Sequence, residues 1–246
     1  MKAFMKHIWL QFKMDFREKN MLMTFYLVPL VFYAVMGAVF SSINPQAKET
    51  LAATMSIFAA TMGAVLGIPT PILKMREAGT LRAYHVNGIP GPAILLSHGL
   101  SAFFHLCIVT AIITFSAPLF FGAARPDNYL VFTGILMLMI CASIAIGLFI
   151  GVMAKNSTTS IMLSQLVFLP SLLLGGLMFP ATMLPEPLLY LGRVLPATHA
   201  MQALSGLAYH LTPNIEPLIA LFVMVAITVI IGALTALRFS IINKVS

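Results

Sequence analysis

Residues 129–153 read YLVFTGILMLMICASIAIGLFIGVM, from Tyr129 to Met153, without one Lys, Arg, Asp or Glu. Roughly 20 consecutive apolar residues are enough for a helix to cross the hydrocarbon core of a bilayer, so this stretch reads as a span. Working outward, five more stretches meet the same test: Met21 to Phe40, Leu51 to Leu73, Ala93 to Phe120, Thr159 to Met178 and Pro217 to Leu237. Each is bounded by charges, Pro or Gly, and none contains a charged residue. A charge at mid-bilayer costs at least about 3 kcal/mol, so their absence supports all six spans. Composition agrees: the 246 residues are 60% hydrophobic and 9% charged, against roughly 25% charged for an average soluble domain. A soluble reading is set aside, and the absence of charge in the spans argues against an ion pump with buried carboxylates.

Lys and Arg in short loops are retained on the cytoplasmic side, which sets an orientation. With the N-terminus inside, Lys2, Lys6, Lys13, Arg17, Lys19, Lys74, Arg76, Arg82, Lys155, Arg238 and Lys244 are cytoplasmic, and only Lys48, Arg125 and Arg193 fall outside. Both termini are then expected in the cytoplasm. The net charge of +7 is accounted for by topology and anionic lipid, without a nucleic-acid partner. A secretory leader is not expected: Asp15 and Glu18 interrupt the basic segment, and no Ala-x-Ala pattern follows Phe40. Cys107 and Cys141 lie within the third and fourth spans without metal-site spacing, and are expected to be free packing residues.

Ahead of the first span, Phe4, Met5, Ile8, Trp9, Phe12 and Phe16 fall within a roughly 140° arc at helical periodicity, with Lys2, Lys6, Lys13 and Arg17 opposite. That pattern predicts an interfacial amphipathic helix, blurred by Leu10, Asp15 and Lys19. A plain cytosolic extension of the first span is the alternative.

Two further regions stand out. Between the second and third spans runs Lys74-Met75-Arg76-Glu77-Ala78-Gly79-Thr80-Leu81-Arg82, closed by Asn87-Gly88-Ile89-Pro90. Its residues predict a short helix ending near Gly79, then a second turn with Thr80 as N-cap, stopped by Asn87, Gly88 and Pro90. Leu81, Tyr84 and His85 would share a face, with Arg76, Glu77 and Arg82 at a polar rim; a protein-docking knob and a solvated connector both fit. After the fifth span come Gly175-Gly176-Leu177-Met178-Phe179-Pro180, Leu184-Pro185-Glu186-Pro187 and Leu195-Pro196-Ala197-Thr198-His199. Short helices over Glu186 to Val194 and His199 to Tyr209, the second capped by Thr198, are expected. They are too short to span and too apolar for an exposed loop, which predicts a re-entrant hairpin over the outer end of the bundle.

With six spans and an amphipathic start, these regions resemble the type-2 ATP-binding cassette (ABC-2) exporter permeases along essentially the whole chain. The family's acidic residue, Gly-Thr-Leu and nearby Arg are matched by Glu77, Gly79, Thr80, Leu81 and Arg82. Its Gly-rich fifth span, Phe-Pro, Leu-Pro and Leu-Pro-x-Thr-His are matched by Gly175, Gly176, Phe179, Pro180, Leu184, Pro185, Leu195, Pro196, Thr198 and His199. The resemblance implies a half-transporter in a bacterial plasma membrane. It would pair with a second permease, identical in a homodimer, and with two copies of a cytosolic ABC ATPase. No G-x-x-x-x-G-K-[ST] phosphate loop occurs, so ATP and Mg are expected on the ATPase and no cofactor on this chain. Arg76, Glu77, Gly79, Thr80, Leu81, Arg82 and Tyr84 would form the coupling region, and Phe179, Pro180, Pro185, Pro196, Thr198 and His199 the outer gate.

The expected fold is therefore an all-α membrane protein: an interfacial helix at 1–20 and a six-span domain at 21–246, with a coupling loop at 74–91 and an outer re-entrant hairpin at 179–209. On the third span Ser97, His98, Ser101 and His105 form a polar stripe, open to two readings: interhelical hydrogen bonding, or contact with cargo in a cavity. A metal site at His98 and His105 has no visible third ligand. Cargo would be a hydrophobic or amphipathic compound such as a drug, antibiotic or lipid-like molecule. A polysaccharide or teichoic-acid exporter is the alternative, poorly served by a chain with one Trp. An ATPase-independent channel or membrane enzyme would need intramembrane carboxylates, a metal cluster or a filter loop.

Overall fold

The computed structural model describes residues 2–43, 48–79, 91–179 and 183–245. Helix α1 (Lys2–Arg17) precedes a first span made of α2 (Lys19–Leu22), a π-helical turn at Met23–Leu27 and α3 (Val28–Ile43). The second span combines α4 (Leu51–Met62), a second π-helical turn at Gly63–Gly67 and α5 (Pro69–Glu77). The third, fourth and fifth spans are α6 (Gly91–Phe121), α7 (Tyr129–Met153) and α8 (Ser157–Leu174). Two short helices, α9 (Glu186–Gly192) and α10 (Pro196–Ala208), precede the sixth span, α11 (Pro217–Val245). The six spans are each long and apolar enough to cross a membrane, and among the described residues no strand occurs.

Local chemistry sets most boundaries. Asn128 and Asn156 each precede a span, and their side-chain oxygens accept the amides of Leu130 and Val131 and of Thr159, satisfying donors that a helix start leaves open. The fifth span ends at Leu174, four residues before the expected Met178. Gly175 caps it, and a Cβ on Gly175 would meet Ala197 at 3.1 Å, while Gly176 has φ +78°, which L side chains rarely adopt. Chain reversal, and the docking of α10 against the span, therefore both fall on this pair.

The second span is the axis. It is packed against the first, third, fourth and fifth spans and α10, and over Leu51–Gly67 most of its residues are small: Ala52, Ala53, Ala59, Ala60 and Ala64 are fully buried. Close approach to the fourth span depends on Gly147 and Gly151, four residues apart on one face of α7. A Cβ on Gly147 would collide with the Ala64 carbonyl, and one on Gly151 would sit 2.9 Å from the Ile72 Cβ and 3.1 Å from the Pro69 backbone. Small residues at such spacing let helix backbones meet and gain dispersion where no hydrophobic drive exists. The two π-helical turns face each other, and Phe25 from the first fills the space over Gly63 and Gly67 of the second.

Of the two short helices before the sixth span, α10 begins at Pro196, earlier than the expected His199, because Pro at the helix start supplies a fixed helical φ and lacks only an amide that has no partner there. Thr198 is consequently inside the helix and is not its N-cap; its hydroxyl donates to the Gly192 carbonyl at 2.6 Å. His199 donates from Nε2 to the Arg193 carbonyl at 2.7 Å. These two bonds close α9 onto the start of α10. Helix α9 starts at Glu186 as expected and ends at Gly192, short of Val194. Helix α10 is buried against α4, α7 and α11, with Ala197, Ala200, Ala203, Leu204 and Ala208 fully enclosed.

Candidate functional site

At the end of the bundle where α5 finishes, the starts of α2, α6 and α8 and the ends of α7 and α11 also gather, because an even number of crossings returns the chain to one face. Helix α5 stops as expected: the Ala78 amide bonds the Lys74 carbonyl at 2.9 Å, and Gly79 follows with φ +66°. Lys74 and Glu77 are exposed there. Thr80, Leu81, Arg82, Tyr84, His85, Asn87, Gly88 and Pro90, and the second turn expected from them, lie outside the described residues.

Arg76 does not join Glu77 at an outer rim. Its Nη1 donates to the carbonyls of Gly151, Val152 and Ala154 at 3.1, 2.8 and 2.9 Å, sharing two protons among three acceptors. These carbonyls belong to the C-terminal turn of α7, where a helix leaves its acceptors open and carries partial negative charge. A guanidinium from another helix thus does what a C-cap usually does from within. Nothing in the 74–82 segment alone signals this, because the acceptors lie some 75 residues away in sequence. The Gly147-x-x-x-Gly151 spacing in α7 was the available clue that α5 would pack that closely.

The polar stripe on α6 is buried and engaged within the chain. Ser97 donates to the Ile94 carbonyl at 2.8 Å. Ser101 donates to Asp15 of α1 at 2.5 Å, and the same carboxyl accepts from Gln11 at 2.8 Å. His105 shares a 2.8 Å hydrogen bond with Tyr26 and is stacked between Phe12 (4.4 Å between ring centroids) and Phe25 (5.5 Å). His98 is buried one turn from Ser101. Among the described residues, no three His, Cys, Asp or Glu side chains converge as metal ligands.

These contacts change the reading of α1. Ile8, Gln11 and Asp15 are buried against α6, and Phe12 packs beside them. Trp9 and Phe16, expected on the same apolar arc, remain 58% and 43% exposed on the adjoining face, with the Lys13 ammonium 5.3 Å from the Trp9 ring. The helix therefore presents two faces, one to protein and one away from it. Asp15, which blurred the amphipathic pattern, is buriable because Ser101 and Gln11 satisfy it. Burial raises its pKa above the ordinary 3.8, the hydrogen bonds from Ser101 and Gln11 pull the other way, and Glu18 adds to the rise. Side chains of residues 2–7, including Phe4, Met5, Lys2 and Lys6, lie outside what is described.

At the opposite end, Phe179 is 46% exposed, Pro185 precedes α9 at its N-cap, and Pro196, Thr198 and His199 are buried. Pro180 lies outside the described residues. The structure thus separates the expected outer-gate residues into an exposed pair before α9 and a buried trio that fastens α9 to α10.

Apolar cavities flank this framework, two of them beside α6. One of about 340 Å³ lies between α6, α7 and α11, lined by residues such as Leu96, Gly99, Leu148 and Gly232. Another of about 480 Å³ lies between α1 and α6, lined by Trp9, Phe12, Phe104 and Ile108. The Ser97, His98, Ser101 and His105 side chains line neither.

No curated protein matches the chain. The model of the ABC-2 type transporter family matches residues 3–209, from α1 to just past the end of α10. Members of this family are the membrane-spanning part of transporters and generally work with an ABC ATPase. Six apolar spans and a family match over most of the chain make this a multi-pass membrane protein that belongs to the ABC-2 type transporter family.

Proposed function

We propose that this chain is the permease of an exporter that carries a hydrophobic or amphipathic compound outward, driven by two copies of a separate cytosolic ATPase. The observation that carries this reading is the second span. It is the most enclosed of the six, and it ends in a helix that delivers Glu77 and Gly79 directly into the 80–90 segment. A push on that segment would be applied to the most enclosed span, so it would move the bundle rather than one peripheral helix. Binding and closure of the ATPase dimer would supply the push. On this reading the face bearing α1, the 80–90 segment and both termini is cytoplasmic, consistent with the concentration of Lys and Arg there.

A second, identical permease would complete the transporter. Exposed apolar side chains support this reading: Leu27, Val31, Val35 and Val39 run along the first span, and Ile161, Met162, Leu166, Leu169 and Leu173 along the fifth. Cargo would move in the space two such chains enclose, and the α9–α10 hairpin would cover its outer end. Glu77 and Leu81 would dock on the ATPase, with Gly79, Thr80, Arg82 and Tyr84 shaping the turn.

The test is the Glu77→Lys and Leu81→Asp double change, assayed with the co-expressed ATPase in proteoliposomes. Transport and stimulation of ATP hydrolysis are both expected to fall at least tenfold while the permease remains folded. Survival of both activities removes the docking assignment.

A further inference from the structure

Arg76 occupies a place in the fold that a docking residue has no need of. Three elements meet around it. Helix α5, which carries it, packs against both α7 and α8. The carbonyls it binds close the C-terminus of α7. Only Ala154, Lys155 and Asn156 then separate α7 from α8, and the side chain of Asn156 caps α8 by accepting the Thr159 amide at 2.8 Å. Two hydrogen-bonded junctions thus run in series from the end of the second span, through the end of the fourth, to the start of the fifth.

Above the Arg76 contact, the backbones of α5 and α7 already touch at Gly151, where Ile72 and Pro69 leave no room for a side chain. Such packing resists the two helices being pushed together. It offers much less resistance to separation or sliding, because van der Waals contacts are short-ranged and non-directional. Hydrogen bonds from a cation to three carbonyls resist both, since the charge-assisted bond is stronger than a neutral one and depends on direction. At the upper end of α5, the π-helical turn at Gly63–Gly67 and Pro69, which has no amide hydrogen, interrupt regular α-helical bonding. Such interruptions are common sites of bending. Helix α5 is therefore a short lever with a break at one end and a cationic lock at the other.

We propose that Arg76 is a transmission residue: it locks α5 to the α7–α8 corner, so that displacement of the 80–90 segment carries the fourth and fifth spans along with the second. The inference rests on the reading that the 80–90 segment receives the push, but it assigns Arg76 to force transfer within the permease and removes it from the ATPase interface. Without the lock, the break at Gly63–Pro69 would absorb the motion, and α5 would swing while the corner stayed in place. Arg76→Lys keeps a charge that can reach some of the carbonyls as a point donor, so it preserves part of the coupling. Arg76→Gln removes the charge and most of the reach.

The first measurement needs the permease alone, full-length and in lipid nanodiscs. Amide exchange at Gly151 through Thr159 is expected to speed up at least tenfold in Arg76→Gln and by less in Arg76→Lys, with the amides of Ala52 to Met62 unchanged. The second uses the complex with its ATPase. Arg76→Gln is expected to retain ATPase binding, unlike Glu77→Lys with Leu81→Asp, while the ATP-dependent distance change between spin labels at Lys155→Cys and Tyr190→Cys is lost and transport drops at least tenfold. Unchanged exchange at the corner overturns the lock, and loss of ATPase binding in Arg76→Gln returns Arg76 to the interface. If the wild-type permease binds no ATPase at all, the proposed function fails, while the exchange measurement still decides whether the lock exists.

Discussion

The second span, Leu51–Glu77, and the sixth, Pro217–Ser240, are both free of charge through the middle, yet they sit in opposite surroundings. Of their most apolar stretches, 94% of the former is buried within the chain and 17% of the latter. The buried one is the less hydrophobic, with a mean hydropathy of 1.9 against 2.8. In water that order would be reversed. In a bilayer the lipid tails are as apolar as Leu, so enclosure rewards close packing and internal hydrogen bonds instead. The second span has both: a run of Ala and Gly, and hydroxyls such as Ser56, which meets Thr114 at 3.3 Å, and Thr61, which donates to the Ile57 carbonyl at 2.8 Å. The sixth span turns Leu218, Phe222, Val229, Ile230 and Leu237 outward.

The most severe way to break this comparison is to remove the knob that fills the facing π-helical turns. Phe25→Ala is expected to cost about 4 kcal/mol, as for other fully buried Phe truncations, and to be seen as a large drop in unfolding temperature in mixed micelles. Next is Gly151→Leu, which drives a side chain into Ile72 and the Pro69 backbone; a loss of about 3 kcal/mol in the same assay is expected from overpacking. A result near zero for either would mean that the second span is not held by close approach.

Asp15→Asn tests the polar contact between α1 and Ser101 of α6, with an effect of about 1 kcal/mol on the docking of α1, the size of one net hydrogen bond. Its signature is in pH. Because the folded-state pKa of Asp15 is raised, the docked helix binds its proton more tightly than the free one does. Docking is then strongest at and below the ordinary 3.8 and weakens as pH rises through the raised value. Trp9, the chain's one Trp, reports this directly by fluorescence. The wild-type signal should change across that window, and the Asp15→Asn signal should stay flat. The smallest effect is expected from Gly232→Leu on the sixth span, where a Cβ meets nothing within 4 Å. A stability change under about 0.5 kcal/mol would complete the contrast with Gly151→Leu on the same assay.

Element types were readable in the chain because their causes are local. Charge is excluded from mid-bilayer residue by residue, Asn128 and Asn156 cap the helix that follows each of them, and Gly175 and Gly176 stop the fifth span. The small errors at boundaries are local too: Pro196 starts α10 three residues before His199, and the glycine pair ends α8 four residues before Met178. The functional residues were less legible. The 74–79 segment ends where its composition predicts, but the orientation of Arg76 depends on carbonyls in the fourth span. The stripe of Ser101 and His105 was visible as polar periodicity, whereas its engagement by Asp15, Phe12, Tyr26 and Phe25 required the placement of α1.

By itself the sequence determined that this chain is a six-span membrane protein with an amphipathic helix ahead of the first span and two short helices before the last, because transfer cost, helix capping and proline geometry act over a few residues. Only the tertiary structure decided which span lies at the centre, that Asp15 is buried, and that Arg76 faces inward. Those outcomes depend on hydrogen-bond acceptors and backbone clearances contributed by residues far apart in the chain, and no local pattern carries that information.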